Sequence, residues 1–322
     1  MAPYNKAKAL VHGSKQSFMK AGIIIGVSLI LVVINFLPDL YSPTLFLIKA
    51  AIQPITAALF VCLFGYSAMQ GNKRVFTAVS IGLLMNAPFL LPKISFGSSH
   101  AGSYHANTNE HSILIATLST LTRTKNIDDI ASFVNTQKPD VLCLQELAKP
   151  QRTELLALLD GHYSYIIQTD NGNHLTLSNL PLIQVSADSH MQVSKLIHPE
   201  WGEVDLLNTH MPRPYKTTTM PKSWLSLLDR TSTSSKTIIC GDLNITPNNT
   251  LYDILVHDYG LVDALKFGYG FTFPSAQRRS ALLGPLIRID YIFSKNLGSS
   301  DTKTINGSRF SDHRAVMTRI QS

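Results

Sequence analysis

An apolar run at residues 237–240 leads into Gly241 and then presents Asp242 and Asn244, a carboxylate and an amide two residues apart. In an extended chain alternate side chains share a face, so both project the same way. Such a pair can hold a water and a metal-bound oxyanion together. Gly, Asp and Asn are also turn formers, so the segment alone reads as a turn as readily as a site. Further residues change that balance. Glu146 ends the apolar run 141–145, where a carboxylate is costly unless it is paired or bound to metal. His210 follows the run 206–209, Asp290 interrupts the apolar run 287–293, and Asp312 and His313 precede the last apolar run. Singly, each has a plain structural explanation, such as a hydrogen-bonded strand-end histidine or a buried structural acid. Together they point to chemistry. Glu146, Asp242 and Asp312 supply oxygen ligands suited to Mg²⁺ or Mn²⁺. His210 and His313 titrate near neutrality, and Asp290 is suited to orienting a histidine. No zinc-type Cys or His spacing is present. The chemistry this set favours is metal-assisted hydrolysis of a phosphate ester by a positioned water.

The elements that must carry these residues read as short strands and short helices from about residue 112. Strands are predicted at 112–119, 141–145, 163–168, 175–178, 204–209, 237–240, 287–293 and 315–320. Helices are predicted after Asn126, from Pro150 to Gly161, and at 223–229 and 250–257. The run 141–145 is continuously apolar and therefore reads as buried on both faces. Many strands with interspersed helices imply a layered α/β domain. The units ending in Glu146 and Asp242 would bring their acids together if their strands lay side by side. Cys143 and Cys240 fall in those same two strands. Their parities relative to the acids differ, so within one sheet the thiols would face opposite sides and could not bond.

The first third of the chain has a different character. Residues 21–37 carry no charge, residues 44–69 carry only Lys49 near one end, and residues 75–91 form a third apolar run containing Asn86 and Pro88. Each has about the length of a membrane span, roughly 17–25 residues. Lys49 sits where it could snorkel to the interface. A cleaved signal peptide is a poorer reading of the first run, because no small-x-small site follows it. Lys and Arg flank these runs unevenly: four Lys in the tail, none in residues 38–43, and Lys73 with Arg74 in the second loop. The positive-inside rule then gives inside, outside, inside, with everything after residue 91 outside the cytoplasm if there are three spans, and inside if there are two. Residues 1–97 hold eight Lys/Arg against one acid, Asp39, whereas residues 98–322 hold twenty of each. The net charge of +7 thus reflects membrane topology rather than a nucleic-acid footprint. The expected organisation is a membrane segment at 1–96, a polar linker at 97–111 containing His100, His105 and His111, and a catalytic domain at 112–322.

The segments 139–146, 208–210, 241–244, 289–292 and 311–313 occur in an order that resembles the motif series of the endonuclease/exonuclease/phosphatase family, which includes DNase I-like enzymes. With its N-terminal apolar runs, the chain is similar to bacterial members that carry a membrane anchor. The resemblance implies a four-layered α/β sandwich, two packed β-sheets flanked by helices; together with the three apolar runs and their Lys/Arg asymmetry, the expectation is transmembrane helices in the bacterial plasma membrane and a periplasmic catalytic domain. The resemblance also implies that Glu146 binds Mg²⁺ or Mn²⁺ with a contribution from Asp312. Asp242 and Asn244 would orient or deprotonate the water and hold the phosphate. His210 would serve the leaving side, and His313, paired with Asp290, would contact the phosphate or act as base. Two departures from the pattern stand out: Ser119 where the first strand usually ends in Asn, and Asn179 where a phosphate-contacting Arg or Lys is common. The leading reading is a nuclease-like phosphodiesterase. The alternatives are a hydrolase of phospholipid, sphingomyelin or inositol phosphates, and a weakened domain that only binds a phosphorylated ligand. No obligate protein partner is implied. Local basic patches at Arg213 with Lys216 and Lys222, and at Arg278, Arg279 and Arg288, would favour nucleic acid.

Overall fold

The computed structural model describes residues 2–40, 42–91, 112–120, 126–213, 220–265, 268–275, 284–306 and 311–322, with side chains from residue 14 onward. The linker read at 97–111 with its three histidines, and Lys216, Arg278 and Arg279, lie outside the described residues.

Three helices come first: α1 (Ala2–Phe36), α2 (Pro43–Gln70) and α3 (Lys73–Leu90). Ser42 caps α2 by accepting the Leu45 N–H, and Pro43 begins the helix, where its missing N–H costs nothing. Gly71, at φ +59°, ends α2, and the Asn72 side chain at once caps α3 by accepting from Arg74 and Val75. The helices therefore reverse within two residues. The third helix runs parallel to the first. Ser17 donates to Asn72, the Asn86 amide donates to the Ser28 carbonyl at 3.3 Å, and Phe36 meets Phe89 edge-on at 5.4 Å. The stretches Ser14–Phe36 and Pro43–Gln70 are long and apolar enough to cross a membrane.

From Ser112 the chain forms two six-stranded sheets. In order across the first sheet are β11 (Gly298–Ile305), β12 (Ala315–Gln321), β1 (Ser112–Ser119), β2 (Val141–Gln145), β4 (His174–Ser178) and β3 (Tyr165–Thr169). The second has β5 (Leu182–Ala187), β6 (Met191–His198), β7 (Gly202–His210), β8 (Thr237–Asp242), β10 (Asp290–Lys295) and β9 (Val262–Asp263). Ile115, Val141, Leu206 and Ile238 are among the side chains that fill the space between the sheets. The outer face of the first sheet is covered by α4 (Ile127–Gln137) and α5 (Lys149–Leu158). That of the second is covered by α6 (Lys222–Thr233) and α7 (Thr250–Asp253), which continues into a π-helical turn, Ile254–Asp258. The arrangement is a four-layered α/β sandwich. The strands that sequence reading did not anticipate include β5 and β11, edge strands whose burial alternates irregularly and so carries no strong period.

Three expectations are corrected by this arrangement. The strands β2 and β8 are not side by side; they belong to different sheets and face one another. Cys143 and Cys240 consequently both point into the inter-sheet core and form a disulfide, with Cα atoms 6.5 Å apart. The parity argument against this bond holds only within one sheet. Lys49 does not snorkel. It is buried, 3.7 Å from the buried Asp39 carboxylate, and donates to the Leu37 carbonyl at 3.1 Å.

The disulfide joins residues 97 apart in sequence across the two sheets. Replacing both cysteines by Ala is expected to lower unfolding stability by about 2–5 kcal/mol, most of it through the larger unfolded ensemble. Denaturant titration of the full-length protein in detergent measures this, and an unchanged midpoint would contradict the expectation.

Candidate active site

The sandwich gathers one set of strand ends. Parallel pairing of β7 with β8 places His210 opposite Asp242, and antiparallel pairing of β8 with β10 places Asp290 opposite Asp242. Gly241 is required between the neighbours, because at φ +143° a Cβ there would overlap the Thr209 carbonyl oxygen. In the facing sheet, β1 and β2 pair in parallel, so Ser119 lies beside Gln145 and Glu146 follows at the same end. Ser311 donates to the Ser119 carbonyl at 2.5 Å and accepts the His313 N–H at 2.9 Å, which fixes the turn carrying Asp312 and His313.

Asp242 and Asn244 are neighbours, though not through strand alternation. The strand ends at Asp242, Asn244 turns left-handed at φ +52°, and its N–H donates to Asp242 Oδ1 at 2.8 Å. The Asn244 amide donates to the Met211 carbonyl, and its oxygen accepts from Arg213 Nε at 3.4 Å. Asp242 Oδ2 is then 3.8 Å from His210 Nε2 and 4.0 Å from His313 Nε2. Those spacings exceed direct hydrogen bonds and suit one oxygen shared among the three groups. His210 Nε2 also lies 3.2 Å from Glu146 Oε1, and Glu146 has a left-handed backbone at φ +58° that turns its carboxylate off the strand. His313 Nδ1 meets both Asp290 oxygens at 2.9 and 3.1 Å, and its Nε2 is 4.0 Å from Asp312. The Asp290 and Ile289 N–H groups both donate to Thr272 Oγ1, and the Phe273 ring packs against the imidazole of His313 at 5.0 Å.

Charge in this site is tightly constrained. Asp242, Asp290, Asp312 and His313 are all buried. Burial, and next the Asp290 carboxylate, push the Asp242 carboxyl up to about 8. Burial alone would lower His313, but Asp290 and then Asp242 outweigh it and hold the imidazolium up to about 10. Burial, reinforced by His174 and His313, pushes His210 down to about 3, so it is neutral at physiological pH. Carboxylates thus outnumber cations around one imidazolium. Ligand atoms of Asp242, Asp290 and His313 lie within 4.8 Å of one another, a spacing that can hold a metal ion. Hard oxygen donors in excess fit Mg²⁺ or Mn²⁺.

All seven expected acids, amides and imidazoles (Glu146, His210, Asp242, Asn244, Asp290, Asp312 and His313) stand at this end of the sandwich. Ser119 is there too, its hydroxyl buried without a hydrogen-bond partner. Asn179 is not. It follows Ser178, which pairs with Val141 at the start of β2, so it lies at the opposite end from the site. The absence of Arg or Lys at this position removes no contact from the site. Arg288 is likewise no surface cation: it is buried, ion-paired to Asp263 at 2.5 Å, and packed over Tyr291. Among the described residues, Arg213 is the one of these basic candidates that reaches the site.

Sequence reading missed a polar ladder beneath the site. Gln145 donates to Asn208 at 2.7 Å and to Thr117, and the Asn208 amide donates to Thr176, which donates to Gln192 at 2.5 Å. It crosses from one sheet to the other and sets how the strand ends face each other. The clue was available: Gln145 and Asn208 are polar residues in strands that are otherwise apolar, directly before Glu146 and close to His210. His174, fully buried and pushed down to about 4 by its burial, also belongs to this layer.

Replacing Asp290 by Asn is expected to return His313 from about 10 toward the ordinary histidine value of roughly 6.5. Imidazole NMR across a pH series tests this; a His313 that still titrates near 10 would show that Asp290 is not the cause.

Residues 106–313 match the Endonuclease/Exonuclease/phosphatase family. No curated protein matches the chain. Among solved structures, an endonuclease/exonuclease/phosphatase family protein from Leptotrichia buccalis is 19% identical with a TM-score of 0.52, the match covering 65% of this chain and 100% of that one. The AP endonuclease of Leishmania major is 18% identical with a TM-score of 0.53, covering 66% of this chain and 88% of that one. The 3' phosphatase NExo from Neisseria, solved with a product DNA hairpin, is 15% identical with a TM-score of 0.50, covering 64% and 98%. These likenesses support the same fold, and the family match spans most of the chain. The chain belongs to the endonuclease/exonuclease/phosphatase family.

Proposed function

We propose that this protein is a membrane-anchored, divalent-metal-dependent phosphodiesterase whose catalytic domain faces the extracytoplasmic side. The observation that carries the reading is the convergence of Asp242, Asp290 and His313 from separate strands and turns, with Glu146 and Asp312 at the same end. Members of the family are metal-dependent phosphoesterases, and two of the structural relatives are named as an AP endonuclease and a 3' phosphatase.

Glu146 and Asp312 would hold the ion, with Asp242 close by. When bound, it would polarise the phosphoryl group and lower the cost of the developing charge. The chain's own residues supply the rest. Asp242 Oδ1 is held by the Asn244 N–H, which leaves Oδ2 to orient the water and accept its proton. The His313 imidazolium, fixed through Nδ1 by Asp290, presents its Nε2–H to a non-bridging phosphoryl oxygen. As a cation at neutral pH it is a donor rather than the base. Neutral His210 offers an Nε2–H beside Glu146 on the leaving side. The new bond forms between water oxygen and phosphorus, the bond to the leaving oxygen breaks, and that oxygen takes up a proton.

The membrane reading rests on the helices. Phe18, Ile30, Val61, Met69 and Leu84 are each more than half exposed on their surface, an apolar area too large for water. Only the stretches in α1 and α2 reach the length and apolarity of spans among the described residues, but α3 runs parallel to α1 at the same height, which supports reading it as a third span. Three spans place the C-terminal domain opposite the Lys-rich tail. A buried disulfide in that domain is independently consistent with an oxidising compartment.

Full-length protein in detergent is expected to hydrolyse bis(p-nitrophenyl) phosphate with Mg²⁺ or Mn²⁺ and to stop with EDTA. Asp242→Asn and His313→Ala should each lose at least about 10³-fold in kcat with the fold intact. Wild-type rates in either variant would refute the site. The pH profile follows from the two shifted groups. Asp242 must be deprotonated and His313 protonated, so kcat/KM should rise and then fall with pH between these two titrations, both displaced by the bound cation below the metal-free values of about 8 and 10. A reporter fused after Ser322 should work only outside the cytoplasm, and activity inside would overturn the three-span topology.

A further inference from the structure

The N-terminal helices meet the sandwich through buried polar bonds. Asp39, in the short connection between α1 and α2, is buried and accepts the Thr250 N–H at 2.8 Å and the Asn249 amide at 2.5 Å. Lys49 of α2 lies 3.7 Å from the same carboxylate, so the charge of Asp39 is paired as well as hydrogen-bonded. The Asn249 amide also donates to the Phe46 carbonyl, and the Phe46 ring lies in the cluster that contains Leu251, Tyr252 and Leu255. A second contact forms where α3 ends. The Leu90 carbonyl accepts from the Tyr269 hydroxyl at 2.7 Å and from the Gln53 amide at 3.0 Å. A buried carboxylate satisfied by another segment resists displacement, because losing its partner leaves it desolvated and unpaired.

Both contacts continue into the active site. Oδ1 of Asn249 accepts the Thr246 N–H at 2.8 Å and the Thr246 hydroxyl at 2.9 Å. Thr246 follows Asn244 by two residues, and the Asn244 N–H holds Asp242 Oδ1. Between them, the Ile245 carbonyl accepts from the Tyr291 hydroxyl at 3.1 Å. A series of hydrogen bonds thus runs from Asp39 through Asn249 to the loop that seats Asp242. The second contact leads into residues 269–275. There Thr272 Oγ1 accepts the Ile289 and Asp290 N–H groups, and the Thr272 carbonyl accepts the Arg314 N–H at 2.9 Å. The Phe273 ring packs on His313, and the Ser275 N–H donates to the Asp312 carbonyl at 2.6 Å. This segment therefore grips Asp290 and both residues of the Asp312–His313 turn. One contact leads to Asp242, the other to the acids and imidazole that face it.

We propose that Asp39 and Tyr269 are positioning residues of the active site, Asp39 acting through Asn249 and Thr246 and Tyr269 through the segment that ends at Ser275, so that the N-terminal helices are a working part of the catalytic domain as well as its anchor. This rests on the phosphodiesterase reading. Asp39 acts through its acceptor oxygens. An amide at position 39 would turn a donor toward the Asn249 amide. Asn249 could escape that clash only by reversing its own amide, which would point donors at the Thr246 N–H and release the loop. Misplacing a catalytic group by about 1 Å can cost about a hundredfold in rate. Glu146 and Asp312, the proposed ligands of the ion, are bonded to neither Asp39 nor Asn249, so the change falls on turnover rather than on metal binding.

The test compares the full-length wild type, Asp39→Asn and Tyr269→Phe in detergent, well below each melting midpoint, with bis(p-nitrophenyl) phosphate as substrate and Mn²⁺ as the ion. Asp39→Asn should lower kcat at least about tenfold, leave KM within about twofold, and bind Mn²⁺ as tightly as the wild type. Tyr269→Phe keeps the ring and its stacking on Phe271, and it should lower kcat about threefold with the same unchanged KM and Mn²⁺ affinity. This second variant decides the matter if Asp39→Asn does not fold. Wild-type kcat in both folded variants, or in Tyr269→Phe where it alone folds, would overturn the proposal and leave the phosphodiesterase reading intact. A loss of rate that only follows a loss of folded protein or of bound Mn²⁺ would reduce the contacts to a structural role and overturn it equally. A wild type that hydrolyses nothing would overturn the phosphodiesterase reading itself.

Discussion

Asp242, Asp290 and Asp312 are buried around a single imidazolium, and that concentration of like charge is the constraint on which the rest of the molecule depends. Buried carboxylates repel one another and resist ionising, so the structure must hold them together by force of fold. The parallel and antiparallel pairing of β8 fixes His210 and Asp290 against Asp242. The Ser311 turn fixes His313, and the inter-sheet ladder from Gln145 to Gln192 sets the distance between the halves. What this effort secures is a site with excess negative charge, of a kind that a hard divalent cation would neutralise. It also splits the titrations apart: a carboxyl near neutrality beside an imidazolium that keeps its proton.

The two shifted groups assign chemical parts that residue type alone left open. His313 read equally as a phosphate contact or as a base, and its pairing with Asp290 supports the donor role given to it in the proposed function. His210 read as a group that titrates near neutrality, and its burial makes it a neutral hydrogen-bond donor. The functional proposal therefore places the proton-accepting part on Asp242, whose second oxygen faces both imidazoles.

Much of the site was legible because it consists of charged or amide side chains at the ends of apolar runs, where nothing else explains them. Glu146, Asp242, Asp290 and His313 announced themselves in that way. The strands that carry them were legible for the same reason, being short and continuously apolar. What was not legible is pairing between distant segments. Whether the strands of Cys143 and Cys240 share a sheet or face each other cannot be read from either strand, and the choice reverses the conclusion about their thiols. Asn179 matched a motif position by spacing, yet strand direction carries it to the far end of the sandwich. Arg288 looked like surface charge until Asp263 was placed against it. The Asp39 cap on α7 spans about 210 residues of sequence, so no local pattern announces it. Asn244 is instructive in another way: alternation named the right neighbour, but a left-handed residue and a backbone hydrogen bond are what make it one.

The proposed function has this carboxylate-rich end hold one divalent cation, with Glu146 as a ligand. Mn²⁺ binding to the full-length protein, followed by electron paramagnetic resonance and compared with Glu146→Gln, tests it most directly. The account requires one tightly bound ion per chain in the wild type and its loss in the variant. A wild type that binds no Mn²⁺, or a variant that binds it equally well, would contradict the account.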